Sequence, residues 1–109
     1  MLTSTTDHLQ GYEITEYLGI VTGETISGAN VIRDIMATVT DYVGGRSSAY
    51  EEILGRARES SMTEMVDRAR LKSADAVVGI HLDYEVVGSR GAMLLVTCAG
   101  TAVRLRKLG

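Results

Sequence analysis

His81, Asp83, Glu85 and Cys98 are the residues of this chain whose types could do chemistry together. Imidazole, carboxylate and thiolate are all donors to a borderline metal. That makes His81, Asp83 and Cys98 the candidate metal ligands, and a divalent heavy metal such as zinc the cofactor they would take. If the segment is a strand, residues 81, 83 and 85 share a face, with alternate residues about 7 Å apart, so Glu85 does not easily join a mononuclear site with His81. A Cys98–His81 pair could also activate a thiolate, which would make the chain a metal-dependent or thiol enzyme. No oxyanion hole is marked in the sequence, however, and opposed residues in mid-sheet are poorly exposed to a substrate. A polar face with a small buried thiol accounts for the same residues with no ligand at all.

A second constellation is Gly44-Gly45-Arg46-Ser47-Ser48, running into a helix. Free backbone N–H groups, a positive dipole end, hydroxyls and a guanidinium could hold a carboxylate or phosphate. The run lacks the Gly-Lys-Ser/Thr ending of a nucleotide loop. Capping alone explains the serines but has no use for Arg46. A third group, Glu16, Glu24, Arg33 and Asp34, gathers where a first strand ends and a first helix begins, and an ion pair there would fix the loop. Arg33, Asp34, Arg46 and Ser47 are the candidate ligand-binding residues.

The elements that must position these groups are legible from periodicity. Tyr12 to Thr22 alternates and reads as a strand, with Gly19 and Gly23 marking a bulge or turn near its end. Val31, Ile35, Met36, Val39 and Val43 recur at helical spacing, with Asn30 as cap and Gly44-Gly45 as stop. Ser48 and Glu51 have the capping-box spacing and open a longer helix running to about Ala74. Its apolar stripe is Tyr50, Ile53, Leu54, Ala57, Met62, Met65, Val66 and Ala69, and Glu52–Arg56 and Glu64–Arg68 are favourable i,i+4 pairs. Ala76 to Val87 and Ala92 to Leu105 flank Gly88-Ser89-Arg90-Gly91, a hairpin signal. A turn centred on Ser89 and Arg90 pairs residues whose numbers add to 179. It puts Ile80, Leu82, Tyr84 and Val86 with Met93, Leu95, Thr97 and Ala99 on the core face. His81 then lies opposite Cys98, on the other face with Gly79, Asp83, Glu85, Leu94, Val96 and Gly100. The apolar part of that second face would meet water in a monomer, so self-association is expected.

The chain has 109 residues, 45% of them apolar and 23% charged, with one Cys and no Pro, Trp or Phe. That suits a single domain over residues 1–109 with a thin aliphatic core, and it excludes general disorder and a disulfide scaffold. A net charge of -3 without any basic block argues against a nucleic-acid partner. Met1 to Gly11 is a polar tail carrying His8, with no signal-peptide pattern, and no apolar run reaches membrane-spanning length. The expected compartment is the cytoplasm, with no membrane partner and a reduced thiol.

Five blocks together resemble the YbjQ-like family of small bacterial proteins. They are Gly11-Tyr12-Glu13-Ile14-Thr15-Glu16-Tyr17-Leu18-Gly19-Ile20-Val21-Thr22-Gly23-Glu24, Gly28-Ala29-Asn30-Val31-Ile32-Arg33-Asp34, Gly44 to Glu51, Ala74 to Glu85, and Gly100-Thr101-Ala102-Val103. The resemblance implies an α+β, two-layer β-α-β-β subunit of dodecin-like layout, an antiparallel sheet with one or two helices on one face. It also implies assembly into a pentameric ring, and the family carries a heavy-metal-binding label. His81 and Cys98 depart from the family pattern, where Asp and a small residue are expected. The Gly-Gly-Arg-Ser and Asn-Val-Ile-Arg-Asp blocks match it. The leading expectation is a non-enzymatic homo-oligomeric binding protein with a metal or small anion at or near subunit interfaces. The alternatives are an enzyme using His81 and Cys98, or a structural ring that binds another protein.

Overall fold

The computed structural model describes residues 1–28, 48–88 and 93–109. Strand β1 (Leu2–Thr3) is followed by β2 (Tyr12–Ser27), helix α1 (Ser48–Leu71), β3 (Ala76–Val87) and β4 (Met93–Lys107). The strands form one sheet in the order β1-β3-β4-β2, antiparallel except for the β1–β3 pair, with α1 packed on one face. This is the expected α+β two-layer arrangement with one addition. The N-terminal stretch, expected to be a tail, is part of the sheet: Ser4 donates to the Val77 carbonyl, and Gly79 and Ile80 donate to the carbonyls of Thr6 and Ser4. The predicted helix over Asn30 to Val43 lies outside the described residues.

Helix α1 runs from Ser48, the first described residue of its segment, and stops at Leu71, short of the expected Ala74. Ser73 takes a left-handed conformation (φ 62°), and Ala74 donates back to the Ala69 carbonyl, so an ordinary residue does the closing that Gly does more cheaply. Both predicted i,i+4 ion pairs form, Glu52–Arg56 and Glu64–Arg68. The fully covered stripe is Ala57, Ser61, Met65 and Ala69, spaced by four. It rests on Val21, Val77, Ile80, Cys98 and Ala102 toward one end and on Leu94 and Val96 toward the other.

The β3–β4 register corrects the predicted face assignment. Ala76, Val77 and Val78 pair with Val103, Ala102 and Thr101, whose numbers add to the expected 179. From His81 onward the pairs are His81–Ala99, Leu82–Cys98, Asp83–Thr97 and so on to Val87–Met93, adding to 180. The extra residue is absorbed by a bulge in which Gly79 and Ile80 oppose Gly100, with Gly79 at φ 62°. Gly100 is required there, because a Cβ would lie 2.6 Å from Val77 Cγ1. A one-residue shift in pairing moves a whole strand's side chains to the other face. Leu94, Val96 and Cys98 are therefore under the helix, and the expected core residues Met93, Leu95, Thr97 and Ala99 lie on the open face. Two further irregularities, at Thr15 and at Leu18, bend β2. They let Ile14 join Leu9, Ala76, Val78, Val103 and Leu105 in a small cluster on the open side, while Leu18 joins the main core.

Candidate functional site

On the helix face, the tightest point is where α1 crosses β2 and β4. Ser61 is fully buried, and its Oγ donates either to the Val96 carbonyl or to Thr25 Oγ1, both 3.0 Å away. Its own carbonyl accepts from Cys98 Sγ at 3.2 Å. Gly23 lies beneath the same turn, where a Cβ would stand 1.8 Å from the Ser61 oxygen. Cys98 is only 2% exposed, and burial pushes its thiol above the ordinary value, opposed by a hydrogen bond from the Gly23 backbone. A protonated, enclosed thiol is neither a ready nucleophile nor a ready metal ligand.

His81 and Asp83 stand on the opposite face, exposed and paired to each other, Nε2 to Oδ1, at 3.2 Å. Cross-strand neighbours place Asp83, Thr97 and Glu24 in one row, and His81, Ala99 and Thr22 in the next. Together with Cys98, whose sulfur bonds to Ser61 on the helix side, they line a shallow depression of about 200 Å³. The proposed trio of His81, Asp83 and Cys98 is thus divided by the sheet. The register that was to bring His81 and Cys98 together instead puts Leu82 opposite Cys98. Among the described residues, no three His, Cys, Asp or Glu side chains come close enough to hold a metal ion.

The other predicted site, Arg33, Asp34, Arg46 and Ser47, lies outside the described residues. Ser61 is the position of most consequence that the sequence reading passed over, and Gly23, expected to mark a bulge or turn near the end of the first strand, lies inside β2, which runs on to Ser27 in regular pairing. Ser61 reads as a helix weakener, yet its spacing within Ala57, Ser61, Met65 and Ala69 marks the covered stripe. A small polar residue in such a stripe is a sign of close approach between helix and sheet. A groove between the first half of α1 and the distal part of β3 and β4 is lined by Leu54, Gly55, Tyr84, Val86 and Leu94, with Arg58 Nη1 3.5 Å from the Tyr84 hydroxyl.

Comparison with known proteins places this arrangement. The sequence profile of the YbjQ family, described as "Putative heavy-metal-binding", matches residues 1–106. The chain belongs to the YbjQ family. The fold is also similar to the crystal structure of a protein of unknown function from Pediococcus pentosaceus, assigned to the DUF74 family. The two share 18% identity and a TM-score of 0.68 over 97% of this chain and 98% of that one. At that identity the likeness bears on the fold alone. Among the described residues, the set of His81, Asp83 and Cys98 does not fit the metal in the family's description: the thiol is buried under a helix, and the imidazole and carboxylate face the other way. Among the described residues, no helix is long and apolar enough to cross a membrane.

Proposed function

We propose that this YbjQ-family chain is a non-enzymatic binding protein that works as a homo-oligomer, with five subunits the number the family resemblance implies. The observation that carries this reading is the open face of the sheet. Ile20 and Ile26 project from β2 there with 75% and 63% of their surface exposed, and Tyr17 stands on the same side. Apolar side chains in a row on a long edge strand are a liability that a neighbouring subunit removes. The Cα radius of gyration, 17.3 Å against about 13 Å for a compact domain of this length, also suits a subunit better than a self-sufficient monomer.

Light scattering and native mass spectrometry test the assembly. The native chain is expected to run as a closed oligomer, and Ile20→Glu with Ile26→Glu to release folded monomers. A native chain that is monomeric at micromolar concentration refutes the reading. The ligand half of the proposal rests on the sequence: a small anion or a metal ion bound near Arg33, Asp34, Arg46 and Ser47, at or close to the subunit interfaces. Arg46→Ala should leave assembly intact and abolish a ligand-induced thermal shift found by screening phosphate, carboxylates and divalent cations. An unchanged ligand profile in that variant removes the site.

A further inference from the structure

We infer that Cys98 is a structural hydrogen-bond donor which the folded subunit withholds from heavy metals, so that a soft divalent cation reaches it only when α1 lifts off the sheet. Three observations lead there. The sulfur packs in one buried cluster with Val21, Met65, Val77, Ile80 and Ala102, a group that brings it a neutral thioether at most and no imidazole, carboxylate or second thiolate. Its S–H is already committed to the Ser61 carbonyl. The space above it is closed by backbone, because Gly23 approaches the Ser61 oxygen too closely to admit even one added carbon. A metal–thiolate bond of about 2.3 Å needs an open direction at sulfur and further donors to complete the shell. Among the described residues the 2% exposed Cys98 has no such open direction, no three His, Cys, Asp or Glu side chains supply the shell, and His81 and Asp83 are on the far side of the sheet.

Capture of Cys98 by a soft divalent cation breaks the S–H bond, forms the S–metal bond and releases one proton to the buffer. It also removes the hydrogen bond to Ser61. Because the thiol is available only in the opened state, mass action makes such a cation lower the folded population through this residue. For Cys98, a heavy metal is then a destabiliser, the reverse of a structural ligand.

The experiment is thermal unfolding of the full chain with Cd²⁺ alone, in wild type and Cys98→Ala. The expected result is that Cd²⁺ lowers the wild-type midpoint or leaves it unmoved, and that any lowering is absent in the variant. Cd²⁺ bound elsewhere shifts both proteins alike, so the quantity read is the wild-type shift minus the Cys98→Ala shift, which the inference requires to be negative or zero. A rise in wild type that the variant loses overturns it. A readout on wild type alone guards against an unstable variant: the cadmium–thiolate ultraviolet band should be absent from the native protein and appear in denaturant. The reaction of Cys98 with a disulfide reagent should be slower in the native state by on the order of a hundredfold. A thiolate band in the native protein at one Cd²⁺ per chain also overturns the inference.

Discussion

The two faces of the sheet are built from the same four strands and differ in what approaches them. On the helix face the contacts are close: Gly23, Ser61, Cys98 and Gly100 leave room for each other and for nothing more. On the open face stand His81, Asp83, Glu24 and Thr97, polar and accessible, with Ile20 and Ile26 uncovered nearby. The chemistry that looks reactive by residue type is therefore split by accessibility. The thiol is packed as a core group, and the imidazole and carboxylates are left in solvent. Residue type alone does not distinguish a ligand from a packing element, and a single step of register decides which one a residue becomes.

The largest effect that would break this contrast is at Gly23. Gly23→Val drives side-chain carbons into the backbone of Ser61, and overpacking against backbone is expected to cost about 3 kcal/mol or more, measured by urea unfolding. Cys98→Ala comes next, at roughly 1–3 kcal/mol, for a small cavity and a carbonyl left without its donor. Its pH dependence follows from the raised thiol. The folded state holds the proton to higher pH than the unfolded chain does, so the contribution is whole below the ordinary value of 9.0 and is lost as pH rises above it. The stability gap between wild type and Cys98→Ala should narrow above pH 9, and a constant gap would mean the thiol is not buried. Ser73→Gly should gain a few tenths of a kcal/mol to about 1 kcal/mol, seen as a higher midpoint, by relieving the left-handed residue that ends the helix. The smallest effect sharpens the comparison from the other side. His81→Ala should stay within about 0.5 kcal/mol of wild type, because its ion pair with Asp83 is solvated.

Strand positions and the long helix were legible because alternation and helical spacing act locally. Tyr12, Ala76 and Val87 all bound elements where the pattern places them. The face assignment of β4 was not legible from the turn alone. It depends on how many residues β3 spends between Val78 and His81, and Gly79 spends one extra in a bulge. The clue was present in the composition of the two sets. Leu94, Val96, Cys98 and Ala102 are uniformly apolar, while the alternate set contains Thr97 and Thr101. Ser61 escaped notice for a related reason: propensity scores a serine by what it does to an isolated helix, and here its value lies in the sheet beneath it. The N-terminal strand was missed because two residues are too few to show a period, and their pairing partner is remote.

That remoteness has a consequence for how the chain reaches its fold. β4, which pairs with both β3 and β2, is the last of the four described strands to leave the ribosome, and β2 joins it through contacts as remote in sequence as Tyr12–Lys107. β2 must therefore wait, unpaired, for β4 to be synthesised. Such non-local closure makes folding slow, on the order of milliseconds to seconds, and leaves long strand edges open in the meantime. The period of greatest aggregation risk for these strands is thus the interval before β4 emerges, and deleting β4 should be far more damaging to yield than any surface substitution.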